Sequence, residues 1–388
     1  MKSMGSRERL LAAIRRREVD RIPCSPRIWA VLLERYGDAG WRTYLKAASD
    51  FDFDPHIVVE SGIPNPFTAV DGRTAGLRDV RIEVSTRDDG DTDTIERTIR
   101  TPAGPLHETI KRPKPGRAEY GISPNPHRME PMLKDAADLD RIAYLMPDPA
   151  LCDPIPGYGA MEREIGERGL LQVSIASPID YRLGEVYPSV QMMVDCYERR
   201  DLVERALRLF QDQTLAETKA VLERGARVIS GIWFYTSLSA GWSPRIYGEL
   251  FAPLLKEHVD LVHSYGALYD MYDDGRLMGI LDIVKACGVD VLETLTPPPV
   301  GDADLAEIKR RIGDSVCLKG WVDLLHVVKQ GTPELVERTV RDAIAVAAPG
   351  GGFILGSSDS FRDGTPLANL KAYFAAARRY GRSSAYRA

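Results

Sequence analysis

Short apolar runs alternate along this chain with longer stretches whose apolar residues recur at helical spacing, and the two periods separate strands from helices. The runs predict strands at 22–28, 56–60, 170–177, 227–233, 267–272, 289–293, 316–320 and 352–356. Helical spacing predicts helices over 5–17, 29–36, 41–49, 137–146, 159–168, 187–224, 243–265, 332–348 and 365–381. Strands that are apolar throughout and separated by helices belong to a parallel sheet covered on its faces. Eight of them close into a TIM (β/α)8 barrel, with a doubly wound open sheet as the alternative. No G-x-G-x-x-G follows a strand and no G-x-x-x-x-G-K-[ST] occurs; Gly350, Gly351 and Gly352 precede a strand and read as a helix-to-strand turn.

One stretch breaks this rhythm. Residues 78–112 alternate with period two around the turns Asp-Asp-Gly-Asp (88–91) and Pro-Ala-Gly-Pro (102–105), predicting a small antiparallel sheet. The Pro-rich, basic residues 112–128 have no periodicity and predict a lid loop. The expected organisation is one barrel domain over 1–388 with an insertion at 62–128.

Composition narrows the class. A net charge of -5 on 388 residues gives no electrostatic reason for nucleic acid or an anionic membrane as partner. No run approaches the length of a membrane span, and the N-terminus is a charged amphipathic helix without a signal-peptide core, so a cytoplasmic location is expected. Cys24, Cys152, Cys196, Cys287 and Cys317 form no C-x-x-C pair, which argues against a disulfide framework or a zinc knot.

Candidate chemistry concentrates in 266–323, where the loops after successive strands hold Asp270, Asp273, Asp274, Glu293 and Asp323. In a parallel α/β sheet these loops converge on one crevice. Asp273 or Asp274 is also placed to cap the following helix, and Asp359 to sit in a turn. Asp270 inside its strand and Glu293 at the end of another are the best inward-facing acids. Within coordination reach, Asp274, Glu293 and Asp359 would hold a divalent cation; otherwise Asp270, Asp274 or Glu293 would serve as a general acid with a raised pKa. Trp29, Trp233, Tyr235, Trp242 and Trp321 fall near strand ends, where aromatic walls suit an aromatic or macrocyclic ligand but also cap barrel cores. His258 and His263 read as helix surface or packing residues, His326 follows Asp323, and His56 falls at the end of its strand opposite the predicted crevice.

The segments RERLLAAIRRREVDRIPCSPRIW (7–29), FDPHIVVES (53–61), SAGWSP (239–244), GVDVLE (288–293) and GGGFILGSSDSFRDGTPLANLKAYFAAARRYG (350–381) resemble the uroporphyrinogen decarboxylase superfamily. The resemblance implies a barrel, often dimeric. It also implies either decarboxylation of a tetrapyrrole or methyl transfer with a corrinoid carried on a separate protein. Decarboxylase members hold substrate carboxylates with arginines after the first strand; Arg27 matches one, the family's Asp falls near Glu60 and Ser61, and its late His is replaced by Ser357. Methyltransferase members bind zinc through a His-x-Cys and a later Cys; here those places offer Asp270 with Tyr272, or Asp274, and then Asp359, so the thiolates are missing. The expectation is a methyltransferase moving a methyl group from a small substrate, methoxylated aromatics included, to a corrinoid protein. Arg27, Trp29, Glu60, Tyr235, Trp321 and Asp359 are its expected substrate contacts. A non-catalytic tetrapyrrole- or corrinoid-binding barrel is the further alternative.

Overall fold

The computed structural model describes residues 3–69, 71–114 and 126–382. Seven strands form one sheet in the order β1 (His56–Glu60), β6 (Leu170–Ala176), β7 (Val228–Ile232), β8 (Leu268–Asp273), β9 (Val291–Thr294), β10 (Cys317–Val322) and β11 (Phe353–Ser357). From β7 to β11 the four neighbouring pairs are all parallel. The intervening numbers belong to an antiparallel sheet of β2 (Arg81–Asp88), β3 (Thr92–Thr101), β4 (Gly104–Pro113) and β5 (His127–Glu130). Two compact units result: residues 1–59, 157–174 and 225–388, and residues 60–156 with 175–224.

The first unit holds the parallel sheet. Its floor is apolar: Leu170, Val228, Val291, Cys317 and Ile354 pack with Leu10, Ala13 and Ile14 of the first helix (Ser6–Ile14) and with Val19. Arg9 fixes that helix, pairing with Asp20 at 2.7 Å and with the buried Asp54. The expected strand at 22–28 is not one. It makes a single parallel bridge, Cys24 to Leu355, with Leu355 N donating to Pro23 O, Ser25 N to Leu355 O and Asp54 N to Cys24 O. Pro23 and Pro26 lack the N–H groups a regular ladder needs, which is the physical reason for the difference.

In the second unit, β3 and β4 bury Ile95, Ile99, Leu106 and Ile110 on one face. Arg97 lies opposite Glu108 in that pairing, both buried, at 2.5 Å, and Arg128 of β5 meets the same carboxylate at 3.1 Å. The insertion predicted at 62–128 is thus part of a larger unit that includes the helix Arg200–Glu223. Of the expected lid loop, 115–125 lies outside the described residues. Its end is instead paired: Lys111 and Ile110 of β4 stand opposite His127 and Arg128 of β5.

Candidate functional site

Counting along each strand of the first unit from its floor residue, the position two further on is polar in five consecutive strands. Gln172 follows Leu170, Ser230 follows Val228, Asp270 follows Leu268, Glu293 follows Val291 and Lys319 follows Cys317. A strand turns alternate side chains to the same face, so these five form one layer directly above the apolar floor. The register links Ser230 with Asp270 and Glu293 with Lys319, but steps between β8 and β9, where Asp270 lies opposite Val291 and Glu293 opposite Tyr272; side-chain contacts across that step close the layer. All five are buried, as is His56 of β1.

Charges in this layer are matched closely. Lys319 Nζ lies 2.6 Å from Glu293 Oε2 and 3.5 Å from Asp270 Oδ2. The other Glu293 oxygen accepts from Arg27, whose guanidinium rests 4.2 Å over the Tyr272 ring. Burial pushes the Glu293 carboxyl up, but the Arg27 and Lys319 charges outweigh it and hold it ionised. Asp270 goes the other way: burial and then the Glu293 charge raise it against the pull of Lys319. His56 Nδ1 is 3.1 Å from Lys319 Nζ. An ammonium only donates, so Nδ1 accepts and the imidazole proton sits on Nε2. Burial, followed by the Lys319 charge, keeps this ring neutral.

Above the layer, at the C-terminal ends of β8 and β11, lies a second cluster. The Tyr272 hydroxyl donates to Asp359 Oδ1 at 2.8 Å and lies 3.3 Å from Asp274 Oδ2. Arg362 holds the far oxygen of Asp359 at 2.6 Å. A phenol has one proton to give. Once it goes to Asp359, the Asp274 contact is a hydrogen bond only if Asp274 carries a proton of its own. Burial, then the Asp359 charge, raises Asp274 to about 6, consistent with that arrangement. The same burial and Asp359 charge raise the Tyr272 phenol well above its ordinary value.

The structure therefore joins Arg27, Asp270 and Glu293 around Lys319 and, through the Tyr272 hydroxyl, Asp274 with Asp359. It does not gather the metal set expected at Asp274, Glu293 and Asp359. Glu293 is engaged by two cations one level below, and among the described residues no group of three or more His, Cys, Asp or Glu has metal-holding geometry. The donors at the family's zinc positions are hard oxygens already sharing the Tyr272 proton, so the residues do not fit a thiolate-bound zinc. Asp273 is not a helix cap either: it accepts from Gly275 N at 3.1 Å, and the next helix begins at Leu281. Asp323 does cap, accepting from Leu325 N and His326 N and pairing with the His326 ring at 2.8 Å.

The aromatic candidates divide. Tyr235 stacks edge-on against Phe234, which meets Tyr272 in the same way, so it reaches the cluster through one ring. Trp29 is 47% exposed at the start of the helix Trp29–Tyr36. Trp321 donates to Ala303 O at 3.3 Å and lines a groove of about 350 Å³ with Pro298, Asp302 and Val346. Glu60, the exposed last residue of β1, belongs to the second unit. His258 is a packing residue, bonded at 2.9 Å to the Tyr269 hydroxyl, and His263 pairs at the surface with Asp290. His56, placed by its position at the wrong end of its strand, is instead part of the inner layer, because that layer lies only one pleat above the floor. Lys319, Gln172 and Ser230 were not singled out by sequence, though a lysine inside the apolar run VCLKGW is itself a signal.

No curated protein matches the chain by sequence. Among solved structures, a methyltransferase from Methanosarcina mazei is 17% identical, covers 97% of this chain and 99% of its own, and superposes with a TM-score of 0.63. A B12-independent methionine synthase from Shewanella sp. W3-18-1 is 10% identical over 93% of this chain and 97% of its own, with a TM-score of 0.46. The first of these shows a shared fold. The family model for uroporphyrinogen decarboxylase (URO-D) matches residues 182–380, just over half of the 388, and takes in β7 to β11 with both acidic clusters. The chain belongs to the uroporphyrinogen decarboxylase family.

Proposed function

We propose that this protein is a methyltransferase that removes the methyl group of a small methoxylated compound, with a corrinoid on a separate carrier protein as acceptor. The reading takes the parallel sheet as a TIM barrel closed by residues 22–28 as its eighth stave, which puts Asp274, Asp359 and Tyr272 at the rim where such enzymes react. The corrinoid supplies the nucleophile. The protein's own task is to give a proton to the oxygen left behind, since an alkoxide or phenolate is a poor leaving group. The observation that carries this is the Tyr272 hydroxyl shared between Asp274 and Asp359, which leaves Asp274 as a proton donor near neutral pH. Tyr272, Phe234 and Tyr235 provide an aromatic wall beside that acid. The fold shared with a methanogen methyltransferase supports the same reading.

Decarboxylation of a tetrapyrrole is less well served. Such a substrate carries many carboxylates, and Arg27, the one arginine at a family position, already binds Glu293. The test is incubation with a methoxylated aromatic and a reduced corrinoid protein. Demethylated phenol should form, with a matching change in the corrinoid's visible spectrum. Conversion of uroporphyrinogen to coproporphyrinogen with no demethylation would reverse the assignment.

A further inference from the structure

The inner layer contains more hydrogen-bonding capacity than it uses. Among the described residues, Ser230 Oγ and Asp270 Oδ1 are buried without a hydrogen-bond partner, and His56 Nε2 and the two amide atoms of Gln172, side chains close enough to influence each other, form no well-made hydrogen bond. Native interiors leave few such atoms, and here they occur together on four neighbouring strands. Ser230 stands beside Asp270 in the register, the Asp270 carboxylate is 3.7 Å from the His56 ring and 3.5 Å from Lys319, and Gln172 lies next to His56.

The free capacity is mostly donor. His56 presents Nε2–H because Lys319 occupies Nδ1; Ser230 and Gln172 each have a proton to give. Asp270 accepts from Lys319 at Oδ2, so Oδ1 carries the proton whenever that group is neutral. With Glu293 balancing one cation of the pair Arg27 and Lys319, the layer has one positive charge left over while Asp270 is neutral. An excess buried cation beside several idle donors calls for an anionic acceptor.

We propose that this layer binds a carboxylate of the substrate, held by Lys319 and by the free donors of His56, Ser230 and Gln172. The substrate class is then a small aromatic acid whose ring lies against Tyr272 and whose methoxy oxygen faces Asp274. This deepens the methyl-transfer reading and rests on it for the position of the methoxy group. Carboxylate binding itself needs no carrier protein and is measured separately.

Calorimetric titration of the whole protein with benzoate and with its neutral counterpart benzyl alcohol tests the site. Benzoate should bind at least about tenfold more tightly, the worth of hydrogen bonds to a charged group. Q172L and S230A, which keep every charge, should each weaken benzoate about three- to tenfold and leave benzyl alcohol unchanged. K319M should abolish the preference, but Lys319 also neutralises Glu293, so the two neutral variants decide if that chain fails to fold. Equal affinities, or benzoate binding untouched by Q172L and S230A, would overturn the proposal and leave the layer holding internal water only. Benzoate binding without methyl transfer would leave this site standing and remove the reaction assigned above it.

Discussion

Tyr272 shows how a single hydroxyl can set the state of two acids. Its proton goes to Asp359, where Arg362 also sits, and the remaining lone pair faces Asp274. If Asp274 delivers a proton in the reaction, D274N should lower kcat about 10²-fold or more while substrate affinity measured by titration changes little. The wild-type rate should fall as pH rises through about 6, where Asp274 loses the proton it must donate. A pH–rate profile flat from 5 to 8 would remove Asp274 from that role. Glu293 makes a different case. Its two oxygens face Arg27 and Lys319, so E293Q leaves the buried Lys319 and the half-buried Arg27 without their anion and should cost about 3 kcal/mol in urea unfolding. An unchanged midpoint would mean that solvent reaches the pair.

At the scale of elements, five neighbouring strands, β6 to β10, share one design: an apolar floor residue and, two places on, a polar one. The floor is covered by the first helix, in which Leu10 is fully buried. Leu10→Ala should destabilise the fold by about 3 kcal/mol, and benzoate affinity should hold, because the cavity opens beneath the polar layer rather than in it. Denaturant melts and titration of the same sample separate the two effects. Between Lys319 and Trp321, Gly320 has φ +129° and its Cα faces the Thr294 carbonyl so closely that a Cβ has no room. Gly320→Ala should therefore disturb β9 and β10 together and lower stability by about 2 kcal/mol, an overpacking and backbone cost that circular dichroism melts would register. Strand positions were legible because apolar runs bounded by helical periodicity are a local signal. The segment 22–28 was not: its apolar residues resemble a strand, but its prolines leave only isolated bonds to its neighbours.

For the whole molecule, acids in different places give stability opposite dependence on pH. Asp20 is held at about 2: burial acts upward, but the hydrogen bonds from Arg9 and Met4 outweigh it. Asp195 is also held at about 2, chiefly by Arg199. Both lie below the ordinary 3.8, so their contributions are complete above about pH 4 and lost as pH falls through 2. Asp274, raised to about 6, contributes fully below about pH 4 and loses that contribution as pH rises through 6. Calorimetric melting temperatures should therefore fall on the acid side below 4 and, more gently, between 4 and 6. D274N should lessen only the second slope, the rest of which comes from the likewise raised Asp270, and a wild-type curve rising from 4 to 6 would contradict the raised values. No helix among the described residues is long and apolar enough to cross a membrane.

The sequence by itself determined the alternation of strands and helices, the antiparallel insertion and the acids at strand ends, because each is written in residues close together in the chain. Even the polar layer was present as a repeated third position in five strands, although in any one strand a polar residue inside an apolar run does not say which face it lines. Tertiary structure decided which acids meet. Glu293 is drawn down to Arg27 and Lys319, Asp274 is left to share a tyrosine proton with Asp359, and His56 faces inward from its strand's first residue. Those pairings depend on strand register and on charges brought from positions up to 266 residues apart, and no local pattern records them.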